Sequence, residues 1–250
     1  MPDQDPTDTM QLQLRHASVR HYTDEPIPDS LLHNLVRCGQ AAASSSFVQA
    51  YSIVRVREAA ARQRIAAAAG GQTWIERAAV FLVFCADLLR IDRACETAGA
   101  GRLEGWTEHG IVGIVDTALV AQNLLLAAES RGLGGVFIGG IRNNPQTVAE
   151  VLELPHNVMP VFGMCLGWPA QRNPVKPRLP VEAVLHEDRY RTAGLDDLLE
   201  RYDAHMNAYY VARDSNARST CWSTETARAV QGKKREHMLA FARACGFFRC

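Results

Sequence analysis

The chain of 250 residues carries 27 basic and 27 acidic side chains, a formal net charge of zero, with 47 % hydrophobic and 22 % charged residues. That balance makes no electrostatic case for nucleic acid or an anionic membrane surface, and the length is enough for a full hydrophobic core. Seven scattered cysteines without a C-x-x-C, and eight histidines without an H-E-x-x-H, argue for reduced thiols and against a structural metal.

Residues 1–12 read as a disordered polar segment ahead of one domain spanning 13–250. The first ten lack an apolar h-region, so no secretory signal is expected and the cytoplasm is the expected compartment. Pro28 and Asp29 open a helix to about Ala42, stopped at Ser44-Ser45-Ser46. Tyr51–Val56 reads as a strand, and Glu58–Ala69 as an alanine-rich helix ended by Gly70-Gly71. Ala79–Ala86 is a continuous apolar run, the pattern of a buried central strand.

An excursion without periodicity occupies 91–109. Gly110–Arg131 is a long helix, apolar on most of its circumference and interrupted by Asp116, Gln122 and Asn123, so a core helix is expected and a membrane span is not. Val136–Ile138 forms a short strand running into Gly139-Gly140, Pro145 starts a helix ending near Leu154, and Met159–Gly167 is a second buried strand. A loop at Gln171–Pro180 precedes a helix at Asp196–Ala212, and a helical C-terminal extension covers Thr226–Cys245, broken at Gly232. Helices and strands mix without strict alternation, which favours an α+β fold with helices around a central sheet.

The His16–Ile27 segment sets the Ser18 hydroxyl two residues from the Arg20 guanidinium, with His16 and His21 alongside, a donor cluster suited to an oxyanion such as phosphate. Lys176-Pro177-Arg178 holds two cations at a separation stiffened by proline; with Arg20 they form a phosphate clamp or remain separate solvated charges. Ser44, Ser45 and Ser46 either offer donors to a polar ring edge or only stop a helix. Phe137-Ile138-Gly139-Gly140 either lets the backbone approach a flat cofactor or makes a tight turn. Arg213 and Arg218 flank the polar loop Asp214–Ala217 and either hold a nucleotide phosphate or lie solvated. No G-x-G-x-x-G, P-loop or G-x-S-x-G is present.

Several of these segments occur together and in order: H-x-S-V-R-H-Y-T-D-E-P-I, S-S-S-F, G-G-Q at Gly70–Gln72, V-D-T-A-L-V-A-Q-N-L-L-L-A-A-E-S-R-G-L-G-G-V-F-I-G-G-I-R-N-N, F-G-M-C-L-G-W-P and K-P-R-L-P. From about His16 to the end, the chain resembles the oxygen-insensitive NADPH nitroreductase and flavin reductase P type family, group A of the nitroreductases. The resemblance implies an α+β nitroreductase-like fold with a mostly antiparallel central sheet, intertwined as a homodimer with two FMN sites at the subunit interface.

It carries over His16, Ala17, Ser18, Arg20, Lys176 and Arg178 to the flavin phosphate, and Ser44, Ser45 and Ser46 to a serine run reaching the flavin from the partner subunit. Gln72 falls near the ring edge, Phe137, Ile138, Gly139 and Gly140 along the ring, and Arg213 and Arg218 at the 2′-phosphate of NADPH. Four departures stand out. The family commonly has arginine at the position of Ala17, serine at that of Ala43 and tyrosine at that of Phe137, and the Cys95–Glu108 region is longer than usual.

The implied activity is two-electron reduction of nitroaromatics, quinones or related acceptors by NADPH through bound FMN, in two half-reactions at one site. The same site would serve an NADPH-dependent flavin reductase feeding a partner monooxygenase, and a flavin-binding protein without turnover is the alternative from another class. No catalytic side chain is expected, because the redox chemistry belongs to the cofactor.

Overall fold

The computed structural model describes residues 5–171, 173–213, 216–232 and 234–250. Within the span read as one domain the chain forms two compact units, one reaching to Asn173 and including Arg235–Cys250, the other Pro174–Lys234.

The first unit begins with α1 (Asp8–Leu14), a helix where the sequence was read as disordered; the Thr7 hydroxyl caps it by accepting from the Met10 amide at 3.4 Å. There follow α2 (Asp29–Gln40), β1 (Tyr51–Arg55), α3 (Ala59–Ala68), α4 (Trp74–Arg77), β2 (Val80–Asp87), α5 (Leu89–Thr97), α6 (Thr107–Ser130), β3 (Gly134–Ile138), α7 (Pro145–Val151) and β4 (Val158–Gly167). The second unit holds α8 (Leu195–Val211) and α9 (Trp222–Gly232), and α10 (Met238–Ala244) returns to the first.

The four strands pair in the order β1-β2-β4-β3, every pair antiparallel. Strand β2 is buried along its whole length and feeds both faces of the sheet, as a period of two requires. Val80, Leu82 and Phe84 pack with Leu32 and Leu35 of α2 and Val120, Leu124 and Leu125 of α6. Phe81, Val83 and Cys85 pack on the other face with Ile65 and Ala66 of α3 and Val148 of α7. Helices therefore cover both sides of an antiparallel sheet, and α6 forms its central support. Gly39 lets α2 close onto α6: a Cβ there would sit 3.2 Å from the Leu124 Cβ and from the Val120 carbonyl oxygen. Helix α6 is long and apolar enough to cross a membrane, but nine of its residues are buried in this core.

The span 91–109, an excursion without periodicity in the sequence, contains most of α5. The missing signal is a buried charge. Asp92 of α5 is 1 % exposed and accepts from Arg102 Nε at 2.8 Å, Arg102 Nη2 at 2.6 Å and the Leu103 amide at 2.8 Å. That carboxylate folds the glycine-rich stretch after α5 back onto the helix.

In the second unit Tyr202, Met206 and Tyr210 form one buried stripe of α8, packed with Leu179 and Trp222. The Tyr202 hydroxyl donates to the Pro177 carbonyl at 2.9 Å, which fixes the middle of Lys176-Pro177-Arg178. The C-terminal extension breaks at Gly232, where the sequence places it: α9 ends there and α10 starts at Met238, while α9 begins at Trp222, ahead of the expected Thr226.

Candidate functional site

Strand β3 lies at one edge of the sheet and organises most of the sequence candidates of the first unit. The His16–Ile27 segment docks beside it: the Val19 amide donates to the Gly135 carbonyl at 2.9 Å, and the Thr23 amide to the Trp168 carbonyl at 2.9 Å. Val19 is buried, so Ser18 and Arg20 on either side of it project from a fixed backbone. The Ser18 carbonyl accepts from Asn173 Nδ2 at 2.8 Å. Tyr22 locks the same segment, its hydroxyl donating to the Val19 carbonyl at 2.6 Å, and burial pushes that phenol well above the usual tyrosine range.

Arg20 is exposed, and its guanidinium lies 5.8 Å from the Trp74 ring centroid, a stacking that holds the charge without neutralising it. His16 has a different commitment: its Nδ1 is 2.5 Å from Glu129 Oε1 near the end of α6. Ala17 is half-buried and contributes no polar side-chain atom.

Down β3, Phe137 is 38 % exposed and packs edge-on against Phe162, ring centroids 5.2 Å apart at 87°. Ile138 points into the core. The strand then turns into a 3-10 segment at Gly139–Asn143, where Gln72 lies against Gly140. A Cβ on Gly140 would collide with Gln72 Nε2 and with the Ala69 carbonyl, the oxygen to which Gln72 Nε2 donates at 2.9 Å. Glycine is required there because two loops meet without room for a side chain. Behind it Arg142 is half-buried and donates to the Val161 carbonyl at 2.6 Å. Burial, and then the neighbouring Arg235, lower its pKa.

Ser18, Arg20, Gln72, Phe137, Gly139 and Gly140 thus gather at the β3 edge. Ser44, Ser45 and Ser46 do not. They precede β1, the strand at the opposite edge, and three inter-strand spacings of about 4.8 Å separate the two edges by about 14 Å. Their loop is nonetheless well defined. Ser46, Phe47 and Gln49 adopt left-handed backbone angles, φ of 45°, 60° and 54°. The Ser45 and Ala50 amides each donate to the fully buried Asp116 carboxylate at 3.0 Å. The turn displays Phe47, 80 % exposed.

In the second unit the Lys176 ammonium lies 5.3 Å from the Tyr210 ring centroid, and the Arg218 guanidinium lies 5.2 Å from the same centroid. Arg178 is exposed on the loop that Tyr202 pins. Arg218 also pairs with Glu225 at 2.9 Å. Arg213 is half-buried, and Asp214 and Ser215 of its loop lie outside the described residues.

Several residues that hold these candidates in place carry no motif in the sequence. Asp116 was visible only as a polar interruption of an apolar helix. Glu129, Trp74 and Tyr210 had no motif to mark them. Among the described residues no cluster of His, Cys, Asp or Glu has the geometry of a metal site.

Residues 14–168 match the model of the nitroreductase family, and residues 176–249 that of the nitroreductase family C-terminal domain. The chain is 44 % identical over 239 residues to the oxygen-insensitive NADPH nitroreductase of Salmonella typhimurium, covering 96 % of this chain and 98 % of that one. It is 44 % identical over 238 residues to the NADPH-flavin oxidoreductase of Vibrio harveyi, covering 95 % and 97 %. The structure of the NfrA1 nitroreductase from B. subtilis superposes with a TM-score of 0.93 at 37 % identity, covering 97 % of this chain and 100 % of that one. By fold and by sequence along nearly its whole length, the chain belongs to the nitroreductase family.

Proposed function

We propose that this chain is an FMN-dependent oxidoreductase that draws electrons from NADPH and delivers them in pairs to nitroaromatics, quinones or related small acceptors. The observation that carries the reading is the gathering of Ser18, Arg20, Gln72, Phe137, Gly139 and Gly140 at one sheet edge. Their chemistry fits a flavin mononucleotide. Arg20 offers an uncommitted cation and Ser18 a hydroxyl for a phosphate, Gln72 an amide for a ring edge, and the glycines a backbone without side-chain obstruction. When bound, FMN would supply the two-electron chemistry, which no side chain here provides.

The residues have distinct roles in this reading. Arg20 and Ser18 serve the phosphate from the first unit, and the resemblance assigns Lys176 and Arg178 to the same charge. The half-buried position of Ala17 carries no cation, and His16 is held by Glu129, so these two shape the site more than they charge it. Phe137 flanks the ring, Ile138 anchors the strand beneath it, and Gly139-Gly140 bring backbone amides to its edge. Arg213 and Arg218 receive the NADPH 2′-phosphate.

The placement of Ser44–Ser46 supports a homodimer. Hydrogen bonds of about 3 Å cannot span the width of the sheet, so the serine loop serves the β3 site only if it comes from a second copy. Helix α6 offers a surface for that copy, with Ile111, Val115 and Leu119 successively 49 %, 48 % and 43 % exposed along one side.

A second reading uses the same site: a flavin reductase supplying reduced FMN to a monooxygenase, favoured by the relative called an NADPH-flavin oxidoreductase. Purified protein should be yellow and should bleach rapidly with NADPH under nitrogen. Colourless protein, or yellow protein that does not bleach, overturns the enzyme reading. Turnover with nitrofurazone, quinones, chromate and free FMN then separates the two acceptors.

A further inference from the structure

Arg218 already has an anion. Its Nη2 lies 2.9 Å from Glu225 Oε2 in the first turn of α9, and the same carboxylate accepts from Thr220 Oγ1 and from Arg228 Nη1, each at 2.8 Å. The group borders a cleft of about 260 Å³, with Asn207, Ser219 and Thr224 also on its walls. Around it stand two guanidiniums, hydroxyls and an amide, a donor set that suits a phosphomonoester. The hydrogen bond from Thr220, helped by the charges of Arg218 and Arg228, holds the Glu225 carboxyl below the usual glutamate range, with burial opposing.

The rest of Arg218 is fixed independently. Its amide donates to the Tyr210 carbonyl at 3.2 Å, and its guanidinium stacks on the Tyr210 ring. The cation is thus held in place even without Glu225, and the carboxylate acts mainly by occupying it. A ribose 2′-phosphate approaching Arg218 meets a resident anion that it must displace or tolerate, whereas a cofactor with a bare 2′-hydroxyl carries no charge into that position.

We infer that Glu225 is a specificity-determining residue, a built-in counter-anion at Arg218 that sets how strongly the enzyme distinguishes NADPH from NADH, with Arg228 as a second cation for the same phosphate. The inference rests on the reading of Arg218 as a 2′-phosphate residue.

The test compares flavin-loaded wild type, Glu225→Gln, Glu225→Asp, Arg218→Ala and the Arg218→Ala/Glu225→Gln double variant, by anaerobic flavin bleaching with NADPH and with NADH. Glutamine keeps an oxygen for the Thr220 hydroxyl and removes the charge. Glu225→Gln should lower KM for NADPH about tenfold, equivalent to about 1.4 kcal/mol, and leave NADH unchanged. Glu225→Asp should behave like wild type, and the double variant should lose the gain. Arg218→Ala with an NADPH-selective loss but Glu225→Gln without an NADPH-selective gain overturns the inference and leaves the reading of Arg218 standing. Arg218→Ala without an NADPH-selective loss overturns both. Equal changes with both cofactors in Glu225→Gln mean a structural role only and also overturn the inference.

Discussion

The Ser45 amide donates at 3.0 Å to the carboxylate of Asp116, a residue 71 positions away and buried in the middle of α6. The second Asp116 oxygen takes the Ala50 amide, so one side chain closes a loop in which three non-glycine residues have left-handed backbone angles. Such angles cost on the order of 1–3 kcal/mol each and persist only where the surroundings fix them. Asp116→Ala would leave two amides unpaired, at about 1–3 kcal/mol each. The expected result is a Tm lower by about 4 °C or more for a chain of this length, read by thermal unfolding. A change under a degree would mean that the loop is held by something else.

The second prediction concerns Gly140. A methyl group there meets Gln72 Nε2 and the Ala69 carbonyl oxygen, the latter at 2.5 Å and unable to rotate away. Overpacking of this kind costs roughly 1–3 kcal/mol. Gly140→Ala should fold with a lower Tm and purify with less flavin, measured as the ratio of visible to ultraviolet absorbance. Removing the amide with Gln72→Ala in the same chain should not restore full occupancy, because the carbonyl remains in the way.

Acid stability offers a third. The Arg102 hydrogen bond, and after it the Leu103 amide, hold the Asp92 carboxyl below the usual aspartate range, with burial opposing. A depressed folded-state pKa contributes stability that is present above the unfolded-state value and is lost as pH falls through the folded one. The Tm of wild type should therefore fall across the acid range, below about pH 4. Asp92→Asn should lower Tm at neutral pH and flatten that acid limb. Parallel curves for the two proteins would remove Asp92 from the acid response.

How much of this was legible in the sequence follows from the range of each signal. The continuous apolar runs of β2 and α6 are local signals, and both elements appear where those runs put them. Ser18 and Arg20 were visible as a donor cluster, and Gly139-Gly140 as a glycine pair at the end of β3. Asp92 and Asp116 were not, because a buried carboxylate is recognisable only from partners 10 to 71 positions away. Helix α1 has no buried residue and so no apolar pattern to mark it, only the Thr7 cap. Glu225 had no signal at all, because pairing between Arg218 and α9 depends on the turn that separates them.

The dimer prediction follows from the sheet order. With Ser44–Ser46 at the β1 edge and Gly139-Gly140 at the β3 edge, the proposed shared site would be split in an isolated chain. Val115 lies between Ile111 and Leu119 on the exposed side of α6. Val115→Asp would place a charge in an interface core, where charged residues are depleted. Analytical ultracentrifugation should give a dimer for wild type and a monomer for the variant, with flavin occupancy falling alongside. A monomeric wild type that retains flavin and turnover would sink the shared-site arrangement.

The phosphate end is open to both loss and gain. Lys176 and Arg178 sit on a loop whose middle residue is held by the Tyr202 hydroxyl, and Arg20 rests on Trp74, so all three cations have fixed bases. A charge-assisted contact contributes about 1.5–3 kcal/mol, and two lost together weaken binding by at least a hundredfold. Lys176→Ala/Arg178→Ala should purify colourless, and full flavin occupancy would overturn the clamp. Ala17 allows the opposite experiment. It is half-buried between His16, which Glu129 already holds, and Ser18, so a cation there would be added to the site without displacing an existing ion pair. Ala17→Arg should tighten FMN binding about tenfold or more on the same arithmetic, measured by fluorescence titration of the apoprotein. Affinity unchanged or weakened in that variant would mean that the phosphate lies out of reach of position 17.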